Sequence, residues 1–325
     1  MSWKTTLSWE DAKKKAYILN QIRQFFYDLD VIEVETPLLG RSTVTDVHLE
    51  AFNTHFNYLP DSSINNADTL YLQTSPEFCM KRLLASGYQS IYQISKAFRH
   101  EAKGHIHNPE FTILEWYRIG FQQDDLILEV SDLIQAILKC DMPKVITYQN
   151  LFLEHLNIDA LDTSVEELKD VISNHNKMSD WLKDESSIDT LLQFILSELI
   201  EPNVGIDTPI FIRDFPINQA SLAKMNMSDE RVADRFECYF KGIELVNGFC
   251  ELTDAIVQVE RFNKDNLERK QLGLEEKVID RRFIQALESG LPSCSGVALG
   301  IDRLLMLALN KQDIEEVITF TIDRA

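Results

Sequence analysis

Apolar residues recur at helical spacing in several parts of the chain. After Ser8, residues from Ala12 to Leu29 place an apolar side chain every three or four positions, which predicts a long amphipathic helix capped by Ser8. The same spacing predicts helices over 124–139, where Asp124 is the expected cap, and over 188–200. A helix is also predicted over 165–172, where Ser164 and Glu167 form a capping box. The block from roughly 120 to 205 is therefore predicted to be a helical insertion. Further helices are predicted over 75–87, with Ser75 as the cap and Pro76 in the first turn, over 254–272 and 280–290, and from about Asp302.

Alternation of apolar and polar residues predicts strands in the remaining stretches. The run from Ile91 to Phe98 leads into a polar loop containing Gly104 and Pro109, and a second alternating run follows. This pattern predicts two antiparallel strands joined by a long loop. The β-branched run 31–37 ends in a proline, which cannot donate to a strand ladder, so it is expected at a sheet edge or interface. Other strands are predicted near 52–58 and over 70–73, 210–215, 235–241, 243–252, 295–300 and 317–322.

The predicted hairpin carries charged and aromatic residues next to its loop. Side chains alternate along a strand, so Arg99 and Glu101 are predicted to share one face. Phe111, Glu115 and Tyr117 are predicted to share a face of the return strand. A fixed guanidinium beside an aromatic ring suits a nucleotide whose α-phosphate needs a positive charge. An edge hairpin carrying surface salt bridges is the alternative interpretation.

Three glutamates, Glu237, Glu244 and Glu251, are spaced seven residues apart. The nearby Gly242 and Gly248, with aromatic and β-branched neighbours, favour strands over a helix. An odd spacing would put successive glutamates on opposite faces of an unbroken strand. If each glycine marks a turn or bulge that shifts the register by one, all three carboxylates lie on one face. Such carboxylates repel one another unless a divalent cation or an ammonium group lies among them. The alternative is that one or two of them are simply solvated.

Composition limits the class of protein. The 325 residues are 45% hydrophobic but contain no apolar run of about 18 residues and no charged-then-apolar leader, so a soluble, cytoplasmic protein is expected. The five cysteines are scattered and form no Cys-x-x-Cys pair, which favours reduced thiols. The formal net charge of −20 opposes the electrostatic attraction that dominates non-specific nucleic-acid binding. An extensive tRNA-binding face is therefore disfavoured.

Four stretches resemble the class II aminoacyl-tRNA synthetases. Residues 98–101 (Phe-Arg-x-Glu) and 107–112 (His-Asn-Pro-Glu-Phe-Thr) are similar to motif 2 in its lysyl form. The helix and strand ending at Pro37 resemble motif 1, which forms the homodimer interface of that family. Residues 295–305 resemble motif 3, with Ala298 in place of a glycine. The pattern Gly-x-Glu-x-x-Asn-Gly-Phe-x-Glu-Leu at 242–252 is similar to the lysyl-type substrate pocket.

The resemblance implies a fold and a set of residue roles. The expected fold is α+β: a class II synthetase-like antiparallel sheet flanked by helices, in a single catalytic domain over 1–325 with the helical insertion. Arg99 and Arg303 are implied to stabilise the transition state, and Glu237 and Glu244 to hold Mg²⁺ on ATP. The residues implied to bind ATP are Arg99, His100, Glu101, Asn108, Phe111, Glu244, Leu245, Gly300 and Arg303. The residues implied to bind the amino acid are Ser75, Pro76, Glu77, Tyr117 and Glu251.

Over most of its length the chain resembles the elongation factor P lysyltransferase family, stand-alone relatives of the lysyl-tRNA synthetase core. The resemblance implies that lysine, preferentially (R)-β-lysine, is activated with ATP and Mg²⁺ and attached to a lysine of elongation factor P. The chain begins almost at motif 1, so we expect no anticodon-binding domain and no tRNA partner. A homodimer without membrane attachment is expected, with Lys103 in a basic docking patch. His100 departs from the asparagine usual at that position.

Two other functions remain possible at the level of sequence. A truncated tRNA-charging lysyl synthetase would share the same catalytic motifs, but it would need to bind RNA. A non-catalytic relative that binds an amino acid as a sensor would not need the complete set of Arg99, Glu244 and Arg303. The expected absence of an anticodon domain opposes the first function, and the intact charged residues oppose the second.

Overall fold

The computed structural model describes residues 3–56 and 69–325. The chain divides into two compact units, one formed by 1–121 and 252–325 and the other by 122–251. The helices are α1 (Trp9–Asp28), α2 (Glu77–Ala85), α3 (Gln123–Leu138), α4 (Tyr148–Leu156), α5 (Val165–Asn174), α6 (Asp180–Asp184), α7 (Ile188–Ile195), α8 (Ala255–Gln271), α9 (Arg281–Glu288) and α10 (Ile301–Ala308). The strands are β1 (Ile32–Glu33), β2 (Leu39–Gly40), β3 (Asn53–His55), β4 (Thr69–Leu72), β5 (Ile91–Phe98), β6 (Glu110–Ile119), β7 (Lys144–Thr147), β8 (Ile210–Pro216), β9 (Val232–Phe240), β10 (Ile243–Cys250) and β11 (Cys294–Gly300).

The first unit is built on four strands in the order β1, β5, β6 and β11. The pairs β5–β6 and β6–β11 are antiparallel, as predicted for the hairpin and for the strand before motif 3. β1 is the edge strand and pairs with β5 in the parallel direction. The expectation of an edge strand before Pro37 is confirmed, although β1 is much shorter than the predicted run. The expected class II synthetase-like fold is confirmed, with one parallel pair at the edge of an otherwise antiparallel set of strands in this unit.

Helices of the first unit pack on the strands through aromatic side chains. Ser8 caps α1 by accepting a hydrogen bond from the Asp11 N–H, as predicted. On the buried face of α1, the ring of Phe26 stacks on Tyr92 of β5 and lies edge-on to Trp116 of β6, with ring centroids 4.4 and 5.3 Å apart. The helix thereby covers the strands that carry the motif 2 residues.

A second aromatic group joins α2 and α9. The ring of Phe78 stacks on that of Phe283 at 4.4 Å between centroids, and Phe262 of α8 lies beside both. Pro76 is the N-cap residue of α2 instead of a first-turn residue, which corrects the prediction that Ser75 caps this helix. The Ser75 hydroxyl nevertheless accepts a hydrogen bond from the Glu77 N–H at 3.0 Å.

The first unit also contains a small antiparallel sheet in the order β2, β4 and β3. β4 confirms the strand predicted near 70–73. β3 confirms part of the strand predicted near 52–58, and the rest of that prediction lies outside the described residues. No strand is present over 317–322, where the chain forms bends and turns after a short 3₁₀ segment, Ile314–Glu316. The prediction of a final strand is therefore wrong.

The second unit contains four strands in the order β10, β9, β8 and β7. β9 and β10 form a hairpin around Lys241 and Gly242, whose φ angles of 52° and 72° are both positive. A two-residue turn of this handedness matches the twist of antiparallel strands, which explains the glycine. β7 pairs with β8 in the parallel direction. Because β7 lies inside the predicted helical insertion, that block is not wholly helical.

The remaining helices of the second unit form a separate core. Gln122, and not Asp124, caps α3 through a capping box with Asp125, whereas the predicted box of Ser164 and Glu167 on α5 is confirmed. α7 continues into a single π-helical turn, Leu196–Ile200. Leucine and isoleucine stripes of α4, α5 and α7 are buried against each other, as expected for packing surfaces.

Candidate active site

In the first unit, a cluster of polar side chains surrounds the buried carboxyl of Glu115. Glu115 of β6 is only 2% exposed, and each of its carboxyl oxygens accepts one hydrogen bond. The donors are the Ser75 hydroxyl at 2.7 Å and the Tyr117 hydroxyl at 2.6 Å. Glu115 and Tyr117 share one face of β6, as the alternation of side chains predicted. Ser75 and Tyr117 are both predicted to bind the amino acid, and the structure brings them together on Glu115. The sequence indicated no such role for Glu115.

Glu77 forms an ion pair with a lysine that the sequence analysis also missed. The Nζ of Lys81 lies 2.5 Å from a carboxylate oxygen of Glu77, one helical turn earlier in α2. Lys81 is 1% exposed, and its ammonium lies 5.8 Å from the centre of the Phe283 ring. The spacing of a glutamate four residues before a lysine could have indicated the pair. Glu77 therefore lies in a cluster that contains one cation already.

The environment of Glu115 alters its protonation. The pKa of this carboxyl is raised to about 7. Burial is the main cause and the negative charge of Glu77 adds to it, whereas the hydrogen bonds from Tyr117 and Ser75 and the charge of Lys81 act in the opposite direction. A carboxyl with this pKa is partly protonated at neutral pH. A second cation close to it would favour the ionised form. The cluster is therefore suited to an ammonium ligand.

Small residues stand opposite this cluster on β11. In the antiparallel register, Ala298 faces Glu115 and Gly296 faces Tyr117. Paired residues of antiparallel strands project to the same face of the sheet. Ala298, which replaces a motif 3 glycine, thus adds its methyl group beside the buried carboxyl.

The motif 2 arginine lies just beyond the hairpin strand. β5 ends at Phe98, and the Arg99 N–H donates to the Pro109 carbonyl at 2.9 Å. The guanidinium lies 5.1 Å from the centre of the Phe111 ring, so the predicted pairing of arginine and aromatic ring is confirmed. Arg99 and Glu101 do not share a strand face, because both follow the end of β5, and Glu101 is exposed. That part of the prediction is wrong.

His100 and Asn108 are fixed by contacts within the unit. The His100 N–H donates to the Glu50 carbonyl at 2.8 Å, and its ring lies edge-on to Phe52 at 4.9 Å between centroids. The Asn108 amide donates to the Glu110 carbonyl at 2.5 Å and accepts from the Ile322 N–H at 3.1 Å. Asn108 therefore ties the start of β6 to the end of the chain.

Motif 3 positions a second arginine at the start of a helix. Gly300 is the N-cap residue of α10, which begins one residue before Asp302. The Arg303 guanidinium donates to the Ile106 carbonyl at 3.4 Å and lies 2.7 Å from His107 Nε2. Arginine has no acceptor, so His107 Nε2 accepts this hydrogen bond. Arg303 is thus anchored on the motif 2 loop.

The preceding residue, Asp302, links three elements. One carboxylate oxygen accepts the Thr112 N–H at 2.7 Å, and the other lies 3.3 Å from the ammonium of Lys15 on α1. Asp302 is buried. This carboxylate connects the motif 1 helix, the motif 2 strand and the motif 3 helix of the first unit.

The motif 2 loop is also held by the C-terminal segment. Lys103 is 29% exposed, and its ammonium lies 2.8 Å from Asp323 and 3.6 Å from Glu315. The hydrogen bond to Asp323 raises the pKa of Lys103. His105 Nδ1 lies 2.8 Å from Asp313. Lys103 is therefore already neutralised by acidic residues, which contradicts its expected role in a basic docking patch.

In the second unit, a register shift brings two of the three spaced glutamates and Asn247 to one face. Glu244 pairs with Tyr239, whereas Asn247 pairs with Glu237, because the register shifts between Glu244 and Val246. Tyr239 and Glu237 are two residues apart on β9 and share a face. Glu251 follows the end of β10 and forms an isolated antiparallel bridge with Ala223. The predicted convergence is confirmed for Glu237 and Glu244 and stays a prediction for Glu251, and the bulge is at Leu245 and not at a glycine.

The Glu237 carboxylate is engaged by neighbours on its own strand. One oxygen accepts from the Arg235 guanidinium at 2.5 Å and the other from the Tyr239 hydroxyl at 2.6 Å. Burial raises the pKa of Glu237; the charge of Arg235 opposes this effect, and the charge of Glu244 adds to it. Glu237 and Glu244 are thus close enough to repel each other. Two carboxylates on one face fit Mg²⁺, which usually takes one or two protein carboxylates together with phosphate and water oxygens.

Each unit therefore assembles part of the predicted set. The first brings Ser75, Glu77 and Tyr117 together, with Pro76 between the first two, and holds Arg99 on Phe111. The second places Glu237 and Glu244 on one face of the β9–β10 pair, with Leu245 buried in the bulge and Glu251 buried just after β10. Buried carboxyls beside hydroxyl donors can bind ammonium groups, and the two arginines can bind phosphate oxygens.

Comparison with known proteins agrees with this arrangement. Residues 4–324 match the family model described as tRNA synthetases class II (D, K and N), so the chain belongs to this class II synthetase family. A Vibrio cholerae protein named "Elongation factor P--(R)-beta-lysine ligase" is 50% identical over 323 residues, which is 99% of this chain and 98% of the relative. Proteins with the same name are 49% identical in Proteus mirabilis, over 99% of this chain and 98% of the relative, and 48% identical in Yersinia pestis, over 100% and 98%.

Proposed function

We propose that the protein is an ATP-dependent ligase that activates lysine or (R)-β-lysine and transfers it to a lysine side chain of elongation factor P. The observation that carries the proposal is the identity of about half of all residues to ligases of that name over nearly their whole length. The buried carboxyl cluster around Glu115 supports a substrate that carries an ammonium group. A regulatory relative would not need the two anchored arginines, Arg99 and Arg303.

The amino acid is held by residues at its two ends. Glu77, with Ser75 and Pro76, binds the amino group next to the carboxylate. Glu251 and Tyr117 bind the side-chain ammonium group. An acidic pocket selects a basic amino acid over aspartate or asparagine, because a carboxylate or an amide would leave the buried glutamates without a cation.

The residues proposed to bind ATP belong to motifs 2 and 3 and to the lysyl-type pattern at 242–252. The proposed ATP contacts are Arg99, His100, Glu101, Asn108, Phe111, Glu244, Leu245, Gly300 and Arg303. Phe111 covers the adenine, and the guanidiniums of Arg99 and Arg303 bind phosphate oxygens. Glu237 and Glu244 hold Mg²⁺, which neutralises phosphate charge when it is bound. To bind Mg²⁺, the Glu237 oxygens must give up their hydrogen bonds from Arg235 and Tyr239.

The reaction has two steps. A carboxylate oxygen of the amino acid attacks the α-phosphorus of ATP, the bond to the β-phosphate oxygen breaks, and pyrophosphate leaves. Arg99 and Arg303 stabilise the charge that develops on the α-phosphate. The neutral amine of the acceptor lysine then attacks the carbonyl carbon of the adenylate. An amide forms, AMP leaves, and the amine gives up one proton.

The acceptor is a protein and the reaction takes place in the cytoplasm. All five cysteines are free thiols, which fits a reducing compartment. Within the described residues, no helix is both long enough and apolar enough to cross a membrane. The formal charge of −20 weakens binding to RNA and thereby favours a protein acceptor over tRNA.

The enzyme acts as a homodimer formed through the motif 1 helix. Trp9, Tyr17 and Tyr27 of α1 are 75%, 64% and 78% exposed, and Ile32 of β1 is 56% exposed. Large apolar side chains grouped on one element are typical of an interface. Light scattering after size-exclusion chromatography should give the mass of two chains, and charged replacements at Tyr17 and Tyr27 should give that of one.

An ATP–pyrophosphate exchange assay tests the activation step. Exchange is expected with lysine or (R)-β-lysine and not with aspartate or asparagine. Glu251→Gln should raise the KM for the amino acid by far more than the KM for ATP, because breaking one side of a buried ion pair costs about 3 to 5 kcal/mol. Glu244→Ala should abolish exchange, and Glu230→Gln, an exposed control, should change neither constant. Exchange with an acidic amino acid alone would overturn the pocket assignment.

A further inference from the structure

Gln93 is a buried polar residue without a hydrogen-bond partner. It lies in the middle of β5 and is 2% exposed. Its amide oxygen contacts no donor within the described residues. Buried side-chain polar atoms almost always have a partner in folded proteins. An orphaned amide in the central part of a strand is therefore a site where a donor from outside the chain would bind.

The position of Gln93 connects it to the carboxyl cluster. In the β5–β6 register Gln93 stands directly opposite Glu115, and Ala298 stands opposite Glu115 on the other side. Directly paired side chains share a face, with Cβ atoms about 4.5 to 5.5 Å apart. The amide of Gln93 thus lies beside the carboxyl that accepts hydrogen bonds from Ser75 and Tyr117.

The neighbouring side-chain donors are directed to acceptors other than the Gln93 oxygen. Apart from the amide N–H groups of Gln93 itself, these donors are the hydroxyls of Ser75 and Tyr117, which reach the Glu115 oxygens, and the ammonium of Lys81, which reaches Glu77. None of them reaches the Gln93 oxygen. An ammonium group brings three N–H donors and a positive charge. A bound ammonium group would give the Gln93 oxygen a hydrogen-bond donor, and its charge would also favour the ionised form of Glu115.

We propose that Gln93 binds the amino-acid substrate by accepting a hydrogen bond from one of its ammonium groups and thereby contributes to selection for a basic amino acid. This inference rests on the proposed function, because it assigns the Glu115 cluster to the amino acid. An amide suits this position because it adds an acceptor without adding charge. A carboxylate there would be a third one beside Glu77 and Glu115 and would increase their mutual repulsion.

The test replaces Gln93 with methionine, which has a similar length and no amide. No internal hydrogen bond is lost, and one orphaned polar group is removed from a buried position, so the Tm should be unchanged or higher. The KM for lysine or (R)-β-lysine in pyrophosphate exchange should rise about tenfold or more, as expected for the loss of a hydrogen bond to a charged group. The KM for ATP should be unchanged, and kcat should change by much less than the KM for the amino acid.

Two further variants separate binding from packing. Gln93→Glu keeps an acceptor at the same place, so it should bind the amino acid more tightly than the methionine variant, while the added repulsion from Glu77 and Glu115 should lower its Tm. Ile94→Val alters the neighbouring residue on the opposite face of β5 and should lower the Tm slightly with both KM values unchanged. If Gln93→Met lowers the Tm and leaves the amino-acid KM within twofold, Gln93 is only a packing residue and the inference is wrong. If the unmodified enzyme shows no exchange with either basic amino acid, the proposed function itself fails.

Discussion

At the scale of single residues, the protonation of Glu115 should be visible in the stability of the protein. Its pKa rises from 4.5 to about 7 on folding, mainly because of burial. Between these values the unfolded chain has released the proton and the folded chain has not, so the contribution of Glu115 to stability is fully present below pH 4.5 and is lost as the pH rises towards 7. One pKa unit corresponds to about 1.4 kcal/mol, so the loss is on the order of 3 kcal/mol.

We therefore expect Glu115→Gln to gain stability relative to the unmodified protein as the pH rises from 5 to 8. Glutamine can still accept a hydrogen bond from Ser75 or Tyr117, and it carries no charge at any of these pH values. Urea unfolding at both pH values measures the difference. Glu110→Gln, an exposed position on the same strand, is the control. A stability difference between Glu115→Gln and the unmodified protein that does not depend on pH would show that the Glu115 carboxyl titrates normally.

Individual residues also show where sequence reasoning stops. Arg99, Phe111, Glu77 and Tyr117 were predicted because each belongs to a short motif with a recognisable order of residue types. Gln93 was not predicted, because its proposed role depends on Glu115, the residue opposite it in the β5–β6 pair. A strand register is set by the whole hairpin and by neighbouring strands, and a local pattern does not reveal it.

At the scale of elements, most helices and strands follow from periodicity, whereas their ends and irregularities do not. The limits of β5 were predicted correctly from alternation between Ile91 and Phe98. The bulge in β10 was predicted at a glycine but occurs at Leu245, because a bulge needs only a local backbone shift that other residues also adopt. The β-branched run 317–322 forms no strand, since propensity without a pairing partner does not make one.

The same scale includes the contact between the motif 2 loop and the C-terminal segment. Lys103 pairs with Asp323, and Asn108 accepts the Ile322 N–H. Removing residues 322–325 should loosen this loop, because both contacts disappear. Hydrogen exchange of 101–108 should become faster and the KM for ATP should rise several-fold, because Arg99 and Asn108 flank the loop.

The stability of the truncated protein should change little, since surface ion pairs contribute only about 0 to 1 kcal/mol. Arg324→Ala is the control, because this side chain reaches only the Lys4 carbonyl at 3.4 Å in the described residues. Loop exchange that is the same in the truncated and complete proteins would mean that the segment does not restrain motif 2.

At the scale of the whole molecule, the sequence indicated the class of reaction better than the arrangement of the chain. The order of motifs predicted a class II synthetase, and the family match over 4–324 confirms it. The division of the chain into 1–121 with 252–325 and a second unit of 122–251 was not predicted. Such a division depends on the density of contacts between distant segments, which local patterns do not report.

The last prediction concerns the acceptor. Incubation of the enzyme and ATP with labelled lysine or (R)-β-lysine should label purified elongation factor P and leave tRNA-Lys unlabelled. The reasons are the near-complete likeness to ligases of elongation factor P and a net charge of −20 that repels the phosphate backbone. Intact-mass measurement should show one added lysyl group, and replacement of the exposed tip lysine of elongation factor P should abolish it. Label on the tRNA together with an unmodified protein mass would assign the enzyme to tRNA charging instead.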